Sequence, residues 1–417
     1  MQGNLGTEHR EQLWKILEAA LGAVRGSACV SRYLRTRELC EPVYLIAFGK
    51  AACAMARGVL EALGDRILDA CVVTKHGHAE PLPWPVIEAG HPVPDEQSLE
   101  AGRRLVDFAR GIPSDARVLA LLSGGASAVL DLLPNGVTLA DLQALNGWLL
   151  GSGLDIASMN RIRKQVSLIK GGRLARMLYP RRVLCLAISD VPGDDRRAIG
   201  SGPLVPDEDL QKPLDMAVLP EHLRTIVSRG TPAPAPDDPC FEAVEFHIVA
   251  RLDDAKRAAA EAARRLGYAV EVETEFVSGD AVEAGARMAA RLLRSASGVV
   301  HVWGGETTVK LPVSPGRGGR NQSLALSAAR VLRGVSGVWF LAAGTDGTDG
   351  PTQDAGALVD GGTIDRGEAH GLDAADSIAR ADAGTFLEAS GDLIRTGPTG
   401  TNVMDVFLGL REQARNG

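Results

Sequence analysis

Residues 304–322, GGETTVKLPVSPGRGGRNQ, set glycines, two adjacent threonines and separated arginines against the start of a predicted helix. Gly305, Glu306, Thr307 and Thr308 would form a strand-end turn rich in backbone and hydroxyl donors. Arg320 and Asn321 would stand at a helix N-terminus, where free N–H groups and the helix dipole favour an anion. A flexible surface loop is the competing reading. In AFGKAACAMARG (47–58) a strand is expected to end at Gly49, and Lys50 then opens an Ala-rich helix. The ammonium and the first-turn N–H groups could meet one anion there, although a solvated lysine would leave the same trace. LLSGGASAVL (121–130) repeats the build with Ser123, Gly124, Gly125 and Ser127, which suit either phosphate or a plain tight turn.

Further along, NRIRKQVSLIKGGRLA (160–175) supplies Asn160, Arg163 and Lys170 on a basic helix that could equally be a solvated face. Asp190 closes an apolar run in AISDVPGDDRRAIGSGP. A carboxylate at a strand terminus beside phosphate donors is where a hard cation such as Mg2+ is held. LAAGTDGTDGPTQDAGALVD (341–360) interleaves Thr345, Asp346, Gly347 and Asp349 without the spacing of an EF-hand, and Asp346 is the second metal candidate. RTGPTGTNVMD (395–405) adds Thr401 and Asn402 as phosphate or sugar contacts. There is no Walker A loop, no H-E-x-x-H and no Ser-His-Asp elbow. His76 and His78, two apart in a loop without thiolates, read as unliganded rather than as a zinc pair.

The elements that must hold these turns follow from the apolar runs. VYLIAFG (43–49), ACVVTK (70–75), PVIEAG (85–90), VLALLSGG (118–125) and VLCLAISD (183–190) are short and non-alternating, as buried parallel strands are. Separated by helical patterns, they predict a Rossmann-like, doubly wound α/β domain. Ligands in such a sheet gather beyond the carboxyl ends of the strands, where Lys50, Ser123 and Asp190 stand. GTPAPAPDDP (230–239) has the composition of a linker and puts a domain boundary there, giving domains 1–236 and 237–417. A second alternation runs through strands at 245–252, 299–306 and 338–347, with helices at about 253–267, 279–296 and from 320.

Composition sets the remaining limits. With 417 residues, 45% hydrophobic and only 4% aromatic, the core should be aliphatic and helix-rich. A net charge of −7 argues against nucleic-acid and membrane partners, which reward a basic surface. Six cysteines without a C-x-x-C pair suit a reducing compartment. The N-terminal residues do not have the pattern of a signal peptide, so a cytoplasmic protein is expected.

Seven segments, AFGKAACAMARG, LLSGGASAVL, NRIRKQVSLIKGGRLA, ISDVPGDDRRAIGSGP, GGETTVKLPVSPGRGGRNQ, AAGTDGTDGPTQDAGALVD and TGPTGTNVMDV, occur in this order. In that the chain resembles the class II glycerate kinases, the glycerate 2-kinases with a C-terminal MOFRL domain. The resemblance runs over about residues 8–410, with the MOFRL region at about 300–410. It implies two α/β domains with the active site in the cleft between them, and ATP- and Mg2+-dependent phosphorylation of D-glycerate to 2-phosphoglycerate. It makes Lys50 and Arg320 the main catalytic candidates. Asp190 joins them as the candidate for metal or acceptor-hydroxyl contact. Gln165 and Pro192 depart from the family pattern. A homo-oligomer is compatible with the sequence. Two other readings stand beside this one. Some family members carry the label hydroxypyruvate reductase, an NAD(P)H enzyme, yet no G-x-G-x-x-G follows the first strand. A non-catalytic anion-binding protein on the same scaffold would be expected to lose Lys50 and Arg320, and both are kept.

Overall fold

The structure, a computed structural model, describes residues 2–37 and 39–412. The chain divides into two units, Arg25–Ala250 and Met1–Val24 with Arg251–Gly417.

The first unit is built on six strands: β1 (Val43–Phe48), β2 (Ile67–Lys75), β3 (Val86–Ala89), β4 (Arg117–Leu122), β5 (Arg182–Ile188) and β6 (Val244–Ala250). They lie in the order β3-β2-β1-β4-β5-β6, every pair parallel. Successive residues of β1 point to opposite faces, and Leu45, Ile46, Ala47 and Phe48 are all buried. Both faces must therefore be covered, which is why the run reads as continuously apolar. Ile46 and Phe48 share a core with Ala101, Leu105 and Ala109 of the helix Glu96–Gly111. The helix Ala52–Leu63 packs on β1 and β2. The Rossmann-like parallel sheet expected from the sequence is present.

The second unit carries β7 (Ala269–Val277), β8 (Val299–Gly305), β9 (Val338–Gly344), β10 (Gly356–Asp360), β11 (Leu393–Ile394) and β12 (Asp405–Arg411). Their order is β11-β10-β9-β12-β8-β7, with β7 and β8 parallel and the other neighbours antiparallel. Because β12 enters between β8 and β9, its first residue, Asp405, lies opposite both Gly305 and Gly344. One carboxylate is thus delivered to the ends of two strands.

The boundary at 236/237 differs from the observed division on both sides. Residues 230–239 are held against the first unit: Arg173 donates to the carbonyl of Thr231, Gln211 Nε2 to that of Pro234 at 3.1 Å, and Arg176 pairs with Asp238 at 2.7 Å. Proline-rich composition reports the loss of regular structure there, not the loss of contacts. The strand expected at 245–252, assigned to the second domain, is instead β6, the last strand of the first sheet. The helix Gln2–Val24 belongs to the second unit, where it packs on the helix Leu252–Arg265. Arg10 fixes it, bonding Asp360 Oδ2, Asp392 Oδ1 and the Leu358 carbonyl, each at 2.7 Å. No helix among the described residues is long and apolar enough to cross a membrane.

Leu17, on that helix, is fully buried. Leu17→Ala should cost about 2–5 kcal/mol and loosen the second unit selectively. Hydrogen exchange should quicken in β8 and β9 and stay unchanged in β1 and β4; equal quickening in both units would argue against this assignment of the helix.

Candidate active site

In the first unit the turns that follow β1 and β4 are built into each other. Phe48 and Leu122, the last residues of the two strands, are register partners, so Gly49 meets Ser123 directly. Gly49 has φ +121°, and a Cβ on it would fall 2.4 Å from Ser123 Oγ. Only glycine allows that approach. Lys50 N–H donates to the Gly124 carbonyl at 2.9 Å, Ala51 N–H to Ser123 Oγ at 3.0 Å, and Thr74 Oγ1 to the Gly49 carbonyl at 3.1 Å. The turn is rigid, and no side chain caps the helix Ala52–Leu63 that leaves it. A Cβ on Gly125 (φ +80°) would sit 3.1 Å from Lys50 Cγ and 3.0 Å from His91 Cδ2. Lys50 and His91 therefore converge over Gly125. β1 lies between β2 and β4, where the chain winds off in two directions, the usual ligand position of such a sheet.

Asp190, two residues beyond β5, stands at the same carboxyl end of the sheet, half-buried. Ser123 and Ser127 hold structural positions, Ser123 through the Ala51 N–H and Ser127 through Ser201 Oγ at 2.9 Å. The basic residues of 160–175 have partners within the first unit. Lys170 is buried and pairs with Asp131 Oδ2 at 2.5 Å, while Arg163 donates to Asn146 at 3.1 Å and to Asn160 Oδ1 at 3.4 Å. Low dielectric makes an unpaired buried ammonium costly, and this folding role explains why Lys170 follows an apolar turn.

The second unit gathers its candidates around one ion pair. Asp405 is fully buried and takes a bidentate grip from Arg320, Nε to Oδ2 at 2.6 Å and Nη2 to Oδ1 at 3.0 Å. Arg320 Nη1 pairs with Glu306 Oε1 at 3.0 Å. Burial works against the Arg320 charge, but the Asp405 carboxylate more than offsets this and holds the guanidinium firmly protonated. Burial likewise pushes the Asp405 carboxyl up, against the pull of Arg320. Asp349 receives the Asn321 N–H at 3.1 Å and the Gln322 N–H at 2.8 Å, so it caps the helix Arg320–Leu332 from a distant loop. Leu324 and Ala328 of that helix are fully buried, and Val331 packs on the same core, the i, i+4, i+7 spacing of one helix face.

In the second unit the hydroxyls of Thr307 and Thr401 and the amide oxygens of Asn321 and Gln322 are buried without a hydrogen-bond partner. Buried polar atoms are normally satisfied, so a concentration of exceptions marks a place shaped for something polar. A cavity of about 320 Å³ opens beside Thr307, Thr308, Gly319, Arg320 and Ser323. Thr345 is not available to it: its hydroxyl donates to the Met404 carbonyl at 2.6 Å and accepts from Val403 N–H at 2.8 Å. Asp346 Oδ1 is engaged by Thr348 N–H and Oγ1, both at 3.0 Å, beside Gly347 (φ +86°). Asn402 is buried next to these residues, and Met404 holds a left-handed backbone at φ +69°. Such strain persists in non-glycine residues where surrounding structure enforces it.

Sequence reasoning did not assign His91 or the Asp405 grip a role. The signal for His91 was its position just past β3, and for Asp405 only its place after the Gly/Thr turn. A separation of 85 residues hides the Arg320 partnership from any local pattern.

A pH prediction follows from Asp349, whose carboxyl burial raises to about 7, with the Asp405 charge adding and the two backbone N–H bonds opposing. The native state then holds a proton that the unfolded chain releases near pH 4, so the stabilisation is complete at low pH and is lost as pH rises towards 7. Asp349→Asn keeps the capping oxygen and removes the titration. Thermal midpoints of wild type should fall relative to the variant between pH 4 and 7; parallel profiles would refute it.

Two protein families match the chain, one described as a domain of unknown function (DUF4147) over residues 12–223 and the MOFRL family over residues 299–405. The chain is 38% identical over 413 residues to a D-glycerate 2-kinase of Thermotoga maritima, covering 95% of this chain and 97% of that one. It is equally 38% identical to an Agrobacterium vitis protein provisionally named a hydroxypyruvate reductase, covering 95% of this chain and 93% of the relative. A crystal structure of glycerate kinase from Thermotoga maritima superposes with a TM-score of 0.84 at 37% identity, covering 97% of this chain and 100% of that one.

Proposed function

The chain belongs to the class II glycerate kinase family, the glycerate 2-kinases with a MOFRL domain, and from that premise we propose that it phosphorylates D-glycerate at its 2-hydroxyl with ATP. The γ-phosphorus–oxygen bond to ADP breaks as the glycerate 2-oxygen bonds to phosphorus, and the hydroxyl proton is released to solvent. The cytoplasm, where ATP is supplied, is the compartment we assign.

Phosphoryl transfer asks a protein for positioned positive charge and donors rather than for a nucleophile. The observation that carries the reading is Arg320, locked bidentate on buried Asp405 and lining a cavity with Thr307, whose buried hydroxyl lacks a partner. A guanidinium fixed in advance loses little freedom when an anion arrives, so its N–H groups are in place before the reaction begins. Lys50 supplies a second cation on a rigid turn of the parallel-sheet unit. We assign each of the two to one of the reaction's anionic groups, the transferring phosphoryl or the glycerate carboxylate. The glycine turns at 123–125 and 304–308 and the 344–350 loop are assigned to the nucleotide or the substrate.

For the divalent metal, Asp190 and Asp346 fit as single carboxylates at strand ends, since Mg2+ is usually held by one or two protein carboxylates with phosphate oxygens and waters completing the shell. When bound it would neutralise charge on the phosphates. Asp346 is held for that by its bonds from Thr348.

The reductase reading is less supported. The β1 turn has no G-x-G-x-x-G. In a coupled ADP-release assay with D-glycerate, Lys50→Ala and Arg320→Ala should each lose roughly 10²–10³ in kcat/KM. Asp405→Asn should keep the fold's packing volume but lower kcat by misaligning Arg320. Near-normal turnover in the Lys50 and Arg320 variants would sink these roles.

A further inference from the structure

β7 is the edge strand of the mixed sheet, and its pairing with β8 lapses between Val272 and Phe276. Glu271 and Glu273, two apart, lie beside that lapse, and His301 on β8 is the register partner of Glu271. His301 is 1% exposed, and neither of its ring nitrogens has a hydrogen-bond partner. Its ring is stacked on Trp303 with centroids 5.2 Å apart, which holds the plane of the imidazole. That nitrogen faces Glu271 Oε2 at 3.4 Å and Glu273 Oε1 at 3.6 Å. These contacts do not meet hydrogen-bond geometry, so a buried imidazole has been brought to two carboxylates without a bond to either.

The spacing is that of ligands around a shared ion. Zinc bonds of about 2.0–2.2 Å in a tetrahedron put neighbouring ligand atoms about 3.3–3.6 Å apart. The three ligand atoms all lie within 4.8 Å of one another, and no other such group occurs among the described residues. Arg291, on the helix Ala281–Arg294, donates to Glu271 Oε1 at 3.0 Å and pairs with Glu273 Oε1, the same oxygen that faces His301. Outer-shell donors of this kind orient ligating carboxylates. One imidazole nitrogen and two carboxylate oxygens suit a borderline first-row divalent ion, with a fourth position left for water.

We propose that Glu271, Glu273 and His301 form a binding site for Zn2+ or a similar divalent cation that ties edge strand β7 to β8 where their backbone pairing lapses. None of the three residues takes part in the proposed phosphoryl transfer, so the site stands or falls independently of it. Its role is structural, and its ligands bind the ion only with the imidazole neutral and the carboxylates ionised.

The test uses the full-length protein, stripped of metal and free of nucleotide, titrated calorimetrically with ZnCl2 and examined by absorption with Co2+. Wild type should bind one equivalent of zinc at micromolar concentration or tighter, with a higher thermal midpoint. Glu271→Gln, at an exposed and fold-tolerant position, should weaken binding at least tenfold, and His301→Gln should abolish it. If His301→Gln does not fold, Glu271→Gln decides alone. Absence of zinc binding in wild type, undiminished binding in Glu271→Gln, or a Co2+ spectrum with thiolate charge transfer would each overturn the site.

Discussion

Burial works against the charge of a carboxylate at the start of a central strand unless a cation meets it, and the Arg320–Asp405 pair is the constraint on which the second unit's candidate site depends. Breaking a fully buried ion pair costs about 3–5 kcal/mol. The figure is lower here because Arg320 reaches solvent. The pair does more than hold charge. Asp405 is opposite Gly305 and Gly344, so gripping it registers the ends of β8 and β9 against the start of the helix Arg320–Leu332. Asp349 caps that helix from the loop after β9, and Thr345 ties the same loop to residues 403 and 404. Four segments distant in sequence are thereby arranged around one guanidinium.

The parallel-sheet unit reaches a similar result by other means. Around Lys50 two glycine turns abut so closely that their backbones bond to each other. Ser123 gives its hydroxyl to this joint and Thr74 closes it from β2. Charge–charge fixing in one unit and backbone fixing in the other both present a cation from a rigid strand end. Preorganisation of this kind is what electrostatic catalysis of phosphoryl transfer requires.

Much of this was legible because it is local. Strand runs such as VYLIAF and RVLALL carry their burial in their composition, and a Gly followed by a cation at a helix start is a three-residue signal. What failed to show is long-range. Nothing near Lys170 in sequence announces its pairing with Asp131, and the backbone partners of the Thr345 and Ser123 hydroxyls lie 59 and 72 residues away. Antiparallel insertion of β12 between β8 and β9 leaves no mark on periodicity. The misplaced boundary has the same origin, since proline content reports on local conformation while unit membership is set by which sheet edge a strand joins.

The most direct measurement is product identification by ³¹P and ¹³C NMR after incubation with Mg-ATP and D-glycerate. A glycerate 2-kinase yields ADP and 2-phosphoglycerate in equal amounts. Phosphate on the 3-position, or no ADP under conditions where the protein is folded, would contradict the assignment.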